Sequence, residues 1–164
     1  MLIGVLSDSH DHLPNIAKAV RAFTERKIGA LLHAGDLCSP FVFRELRELT
    51  PLSPRMYAVF GNNDGDRVLL TNKGGRFCVF RDGVHTLELE GRRIVMMHYP
   101  DVAESLYRSG DFDLVIYGHN HQARVEGTER ILLNPGTCAG YLADQASVAT
   151  VNLETLEVEL IPLV

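Results

Sequence analysis

A chain of 164 residues, 46% hydrophobic and 23% charged, has the make-up of one globular domain over 1–164, large enough to bury a core without disulfides or structural metals. A net charge of -5 and a pI near 5.8 count against a broad basic surface for nucleic acid without ruling one out. A small anionic substrate stays open, because bound cations would reverse the local sign of a site.

Cys38, Cys78 and Cys138 are widely spaced and form no CxxC pair, so they read as small residues in a reducing compartment. Met1 to Leu6 is too short for a signal-peptide core or a membrane span, and the expected location is the cytoplasm, with no membrane partner.

Along the chain, LIGVLS has the length and composition of a buried strand and runs into Asp8 and His10. Pro14 to Lys27 carries Ile16, Ala19, Val20 and Phe23 at helical spacing, with Gly29 just past the end. LLHAG then runs into Asp36. Ser39 and Pro40 open a second helix with a stripe of Phe41, Val42, Leu46 and Leu49. MYAVFG ends at Asn62. With a helix between each pair, these three strands form crossover units and should pair in parallel.

Asp66 to Gly75 is polar and glycine-containing and reads as a loop with at most one helical turn. His85 to Glu90 and Arg92 to His98 flank Glu90-Gly91 as a hairpin, and the second run, RIVMM, stops at His98. A short helix over 102–109 precedes DLVIYG, which stops at His119 and His121. Segments 123–125, 130–133, 147–153 and 156–160 read as antiparallel strands joined by tight turns. The expectation is two sheets, the first mainly parallel and the second mixed.

Five apolar runs thus stop at residues that can bind a metal, and ligands in open α/β sheets sit beyond the carboxyl ends of the strands. Asp8 and His10 are two apart, as are His119 and His121. In an extended segment such residues point to one side, so each pair can present two donors to one ion. Asp36, with two carboxylate oxygens, is a natural bridge between ions. Alone, Asp36 would read as a helix-start residue, Asn62 as part of a turn and His98 as structural. Imidazole, carboxylate and amide together suit borderline divalent ions, manganese first and iron, zinc, nickel or cobalt as alternatives. Two such ions, about 4 Å apart, would serve metal-assisted hydrolysis.

The order Asp8-Ser-His10, Gly35-Asp36, Gly61-Asn62-Asn63-Asp64, His98 and Gly118-His119-Asn-His121 resembles the calcineurin-like metallophosphoesterases. Length and spacing are similar to the small phosphodiesterases of the YfcE type, and Asn134-Pro-Gly-Thr resembles a late loop of that family. The resemblance implies a four-layer α/β/β/α sandwich of two mixed sheets. It implies one metal on Asp8, His10 and His121, a second on Asn62, His98 and His119, and Asp36 as the bridge. It further implies attack on a small phosphodiester by a metal-bridging hydroxide without a covalent enzyme intermediate, with Asp36, Asn62, His98, Asn63 and Asp64 as the catalytic set.

Two positions depart from the pattern. Where many relatives carry a histidine or cysteine, this chain has Asn63, which has no proton to transfer near neutral pH, so good leaving groups should be favoured. Tyr99 follows His98 where glycine is common. The competing readings are a Vps29-like protein-binding scaffold and, within the enzyme class, a phosphomonoesterase, pyrophosphohydrolase or nuclease; a homo-oligomer is compatible with all of them. Other polar residues draw plainer expectations. His33 should be a hydrogen-bonded core histidine and His85 a surface residue. His12, Arg67 and Lys73 could meet an anionic substrate or simply be solvated, and Asp64 could orient a metal-bound histidine. Tyr99 and Tyr141 could line the pocket or pack at its rim.

Overall fold

The computed structural model describes residues 1–52 and 55–164, and the side chains of all of these except 50–52. Strands β1 (Leu2–Leu6), β2 (Ala30–His33) and β3 (Arg55–Val59) are the first three apolar runs, and they pair in parallel as expected. Their continuous apolar character follows from burial on both faces. In β1, Ile3 and Val5 point toward the second sheet, whereas Leu6 points toward the helices.

The second sheet contains β5 (Val84–Leu89), β6 (Arg92–Met97), β7 (Leu114–Ile116), β8 (Arg124–Glu126) and β9 (Ile131–Asn134), in the order β5-β6-β7-β9-β8. Its hairpin turns at Glu90-Gly91, both at positive φ (51° and 75°), the backbone a two-residue turn of this twist requires. Ile94, Met96, Leu114, Ile116, Ile131 and Leu133 pack against the first sheet. On the outer face, Val95, Met97, Val115 and Leu132 meet Ala103 of the helix Ala103–Ser109. Counting the helices outside the first sheet, the layers run helix, sheet, sheet, helix.

Several expectations are corrected. β4 (Cys78–Arg81) was not anticipated; it extends the first sheet beside β3, with Cys78 and Phe80 buried and Val79 and Arg81 outward. β10 (Ser147–Asn152) and β11 (Val158–Pro162) form an antiparallel pair but join the first sheet next to β1. Val148 of β10 faces the helical core and Ala149 and Val151 the inter-sheet core, so a central position suits it. β9 pairs in parallel with β7, not antiparallel, and only β8 opposes it. Both sheets are therefore mixed.

Among the helices, α1 spans Leu13–Arg26 and ends at Lys27, whose left-handed backbone (φ 55°) closes the last turn onto the Phe23 and Thr24 carbonyls without using Gly29. The helix expected after Ser39 is a run of short pieces, a 3-10 turn Pro40–Val42, α2 (Phe43–Leu46) and a second 3-10 segment Arg47–Leu52. Phe41 of its presumed apolar stripe is exposed. Segment 66–75 is not a loop: α3 spans Arg67–Gly74, with the Asp66 carboxylate accepting from the Leu69 N–H at 2.8 Å. Only Leu70 and Gly74 of that helix are buried, which left no apolar periodicity to read. The helix Ala103–Ser109 is α4.

Candidate metal centre

β1, β2, β3, β6 and β7 all end at one edge of the two sheets, and backbone bonds tie the segments that follow. The Asp8 N–H donates to the Gly35 carbonyl, the His10 N–H to Asp36 and the Gly118 N–H to His98, each at 3.0 Å. These segments are not extended. Asp8, His10, Asp36, His119 and His121 have φ of 53°, 42°, 59°, 71° and 60°. Non-glycine residues seldom adopt this left-handed region, and clusters of such strain mark functional sites. The extended geometry that would let each i, i+2 pair face one ion is therefore not found: Asp8 and His10 stay together, but His119 and His121 turn to different groups, as in the division the resemblance implies.

One group comprises Asp8, His10 and His121. Asp8 Oδ1 lies 3.3 Å from His121 Nε2 and 3.9 Å from His10 Nε2. The other comprises Asn62, His98 and His119: Asn62 Oδ1 lies 3.1 Å from His98 Nε2 and 3.0 Å from His119 Nδ1, and those two nitrogens are 3.3 Å apart. Asp36 reaches both, its Oδ2 being 3.6 Å from His10 Nε2 and 3.5 Å from His98 Nε2. All seven residues singled out as metal ligands are therefore brought together.

The hydrogen bonds of the imidazoles show which of their atoms face the centre of this cluster. His98 Nδ1 lies 2.8 Å from the Ala34 carbonyl, and His121 Nδ1 lies 2.7 Å from the Tyr141 carbonyl. A carbonyl only accepts, so each Nδ1 carries a proton, and in the neutral form of either ring Nε2 turns a bare lone pair inward. There it faces other acceptors, Asp36 Oδ2 and Asn62 Oδ1 for His98 and Asp8 Oδ1 for His121. Asp8 Oδ1 and His10 Nε2 are buried with no hydrogen-bond partner among the described residues. Converging lone pairs repel unless a cation stands between them, and the mixture of imidazole, carboxylate and amide fits divalent cations.

A second set of contacts holds these donors in place. Asp8 Oδ2 accepts from the His119 N–H at 3.1 Å, and Thr137 Oγ1 donates to the Asp8 carbonyl at 3.0 Å. Asn63 donates to both oxygens of Asp36, through its N–H to Oδ1 and its side-chain Nδ2 to Oδ2. Gly61 lets Asp36 approach: a Cβ there would meet Asp36 N at 2.7 Å and Cγ at 2.8 Å. Asn134 Nδ2 donates to Asn120 Oδ1 at 2.7 Å and to the Gly118 carbonyl at 3.2 Å, bracing the loop that carries both histidines. Cys38 Sγ lies 3.4 Å from His10 Nδ1; burial and nearby carboxylates push its thiol up to about 12, so it stays protonated.

The remaining candidates fall around this centre. Asp64 orients no histidine. It accepts from the N–H groups of Gly61 (2.7 Å), Cys38 (2.8 Å) and Asp36 (3.1 Å), joining the second and third strand ends. Burial raises its pKa, against the lowering effect of those N–H groups. His33 is the buried core histidine expected, bonded to Ser9 Oγ at 2.9 Å, and burial holds its pKa down at about 3. His85 is buried too, edge-on to Tyr57, and not on the surface. His12 caps α1 by accepting from the Asn15 N–H. Arg67 pairs with Asp82 at 2.8 Å, lies over the Phe60 ring and donates to the Gly61 carbonyl at 3.4 Å, beside Asn62, whereas Lys73 lines a separate groove. Tyr99 and Tyr141, both about half exposed, flank the cluster, beside His119 and His10 respectively. The Ala34 and Tyr141 carbonyls and the clamp from Asn63 were not read from sequence. Asn134 and Thr137 had a signal, in the Asn-Pro-Gly-Thr motif.

The folded chain and its donor set define a metallophosphoesterase: residues 1–156 match the calcineurin-like phosphoesterase superfamily domain, and the chain belongs to that family. It is 35% identical over 162 residues to phosphodiesterase MJ0936 of Methanocaldococcus jannaschii, covering 96% of each chain. A probable metallophosphoesterase of Methanothermobacter thermautotrophicus is 36% identical over 148 residues, which cover 84% of this chain and 77% of that one. Among solved structures, an archaeal phosphodiesterase superposes with a TM-score of 0.89 at 34% identity, over 99% of this chain and 100% of the other. The Escherichia coli phosphoesterase YfcE (TM-score 0.66, 20% identity, all of both chains) and Vps29 of Entamoeba histolytica (TM-score 0.67, 21% identity, 99% of both chains) share the fold.

Proposed function

We propose that this chain, as one domain over 1–164, is a dinuclear metal-dependent phosphodiesterase acting on small phosphodiesters. The observation that carries this reading is the inward convergence of carboxylate, amide and imidazole atoms, with Asp8 Oδ1 and His10 Nε2 buried and without a hydrogen-bond partner among the described residues. Asp8, His10 and His121 would hold one ion, Asn62, His98 and His119 the other, and Asp36 both. When bound, divalent cations polarise a phosphoryl oxygen and lower the pKa of a water. The protein's part is to fix the donors. The Ala34 and Tyr141 carbonyls set the tautomers of His98 and His121, and Asn63 and Asp64 lock the side chain and backbone of Asp36. Asn63 spends its amide protons on Asp36 and supplies no acid to a leaving group.

Similarity to phosphodiesterase MJ0936 favours the diester over a monoester or pyrophosphate. Among the described residues no helix is long and apolar enough to cross a membrane, and three free thiols suit a reducing cytoplasm. The test is hydrolysis of bis(p-nitrophenyl) phosphate by protein loaded with manganese, iron, zinc, nickel or cobalt in turn. Turnover that requires metal and disappears in Asp36→Asn is expected; turnover that survives loss of metal refutes the reading. Stoichiometric metal with no turnover on mono-, di- and pyrophosphate esters would assign the chain to the scaffold class.

A further inference from the structure

A cavity of about 510 Å³ opens beside the metal centre, and His121 belongs to both. The histidine turns Nε2 toward Asp8 and anchors Nδ1 on the Tyr141 carbonyl, and the same residue lines the cavity. Gln122, Leu142, Asp144 and Gln145 are among its other lining residues. The volume lies in the range of pockets that take small organic ligands.

Three features describe what would bind there. Among the described lining residues Asp144 is charged and no lysine or arginine is present, so a further phosphate would meet repulsion and no counter-charge. Gln122, Gln145 and Asp144 are exposed, and among the described residues their side chains make no hydrogen bond within the protein, which leaves two amides and a carboxylate for hydroxyls and ring amides. Leu142 stands 96% exposed at the lip in a left-handed backbone (φ 56°), a costly conformation for leucine that holds an apolar side chain out beside the cavity. It follows directly on Tyr141, whose carbonyl orients His121.

We infer that this cavity is the subsite for the group esterified to the phosphate, and that it takes an uncharged, hydroxyl- and amide-bearing group with an apolar face, of the nucleoside kind. The inference rests on the phosphodiesterase reading and narrows it: a diester presents such a group next to one phosphate, whereas a pyrophosphate would press additional negative charge against Asp144. Asp144 and Gln145 would accept from and donate to the polar edge, and Leu142 would cover the flat face.

Two chromogenic diesters with the same leaving group separate the subsite from the metal chemistry: methyl p-nitrophenyl phosphate, too small to reach the cavity, and the p-nitrophenyl ester of thymidine 5′-phosphate. With metal-loaded wild-type protein, kcat/KM should be at least tenfold higher for the thymidine ester. In Asp144→Ala/Gln145→Ala that ratio should collapse toward one, through KM for the thymidine ester. A ratio near one in the wild type, or a ratio unchanged in the variant, overturns the subsite while leaving the phosphodiesterase reading intact. If neither ester is turned over, the reading of the activity fails, and the subsite is judged by binding. Thymidine alone, at millimolar concentration, should then shift the Gln122 and Gln145 side-chain amide resonances in wild type and not in Asp144→Ala; absence of such shifts overturns it.

Discussion

Asn63 grips Asp36 with two hydrogen bonds of 2.8 Å, one to each carboxylate oxygen. The carboxylate that reaches both halves of the donor cluster is thereby fixed at the cost of a side chain that, in many relatives, can carry a proton. Asn63→Ala keeps the backbone bond and loses the side-chain one. Supporting contacts of this kind are typically worth about 10- to 100-fold in metal affinity or activity. A loss of that size in kcat, with weaker metal binding by calorimetry, is expected; wild-type values for both would show that the clamp is idle.

The same contact predicts a steep dependence on the leaving group. With the Asn63 amide engaged and no proton of its own to give, departure of the leaving group is unassisted from this position. Across aryl methyl phosphates, log kcat should fall steadily as the pKa of the departing phenol rises. A flat plot would reveal an acid elsewhere in the site.

Gly61 sets the distance between the third strand end and Asp36. A methyl group at this position would press on Asp36 N and Cγ at 2.7 and 2.8 Å, and Asp36 is itself held by accepting from Asn63 and donating its N–H to Asp64. Gly61→Ala should cost about 1–3 kcal/mol of stability, the usual range for overpacking. It should weaken metal binding as well, as read by urea denaturation and calorimetry. An Ala variant of wild-type stability and metal affinity would contradict the crowding.

Metal itself should stabilise the fold. Buried, unpartnered Asp8 Oδ1 and His10 Nε2 are costly in the metal-free protein, and a cation that binds only the native state adds about 2.7 kcal/mol at one hundred times its Kd. Manganese or zinc titrated into chelator-treated protein should raise Tm progressively, and Asp8→Ala should lose most of that rise. An unchanged Tm in wild type would refute a native-state site.

His33 makes the metal-free protein acid-sensitive. Burial holds its folded pKa at about 3, below the ordinary 6.5 of an unfolded histidine. Between those values the unfolded chain binds the extra proton. The contribution of His33 is therefore complete above pH 6.5 and is lost as the pH falls toward 3, with a limiting slope of about 1.4 kcal/mol per pH unit. His33→Gln should flatten the pH dependence of the urea midpoint between pH 4 and 6.5; an unaltered slope would show that His33 is not the group.

The sequence alone determined that strands end in residues able to bind a metal, because a strand buried on both faces must be apolar throughout and a polar stop is conspicuous against it. The parallel pairing of the first three strands and the hairpin at Glu90-Gly91 were legible for equally local reasons, intervening helices and a turn dipeptide. The α3 helix, β4 and the parallel placement of β9 were not, since each depends on which surface a segment finds, and a short or half-buried segment does not carry that information. The spacing of the donors did not decide how they divide; the resemblance implied the division, and its physical cause lies in the tertiary structure. His119 and His121 are two residues apart, yet left-handed backbone at both sends one to Asn62 and the other to Asp8. Carbonyls of Ala34 and Tyr141, remote in the chain, then choose which nitrogen of each ring faces inward. Periodicity records the side of an element that is buried; it does not record dihedral strain or a hydrogen bond across 20 or 64 residues, and the chemistry of this centre is set by both.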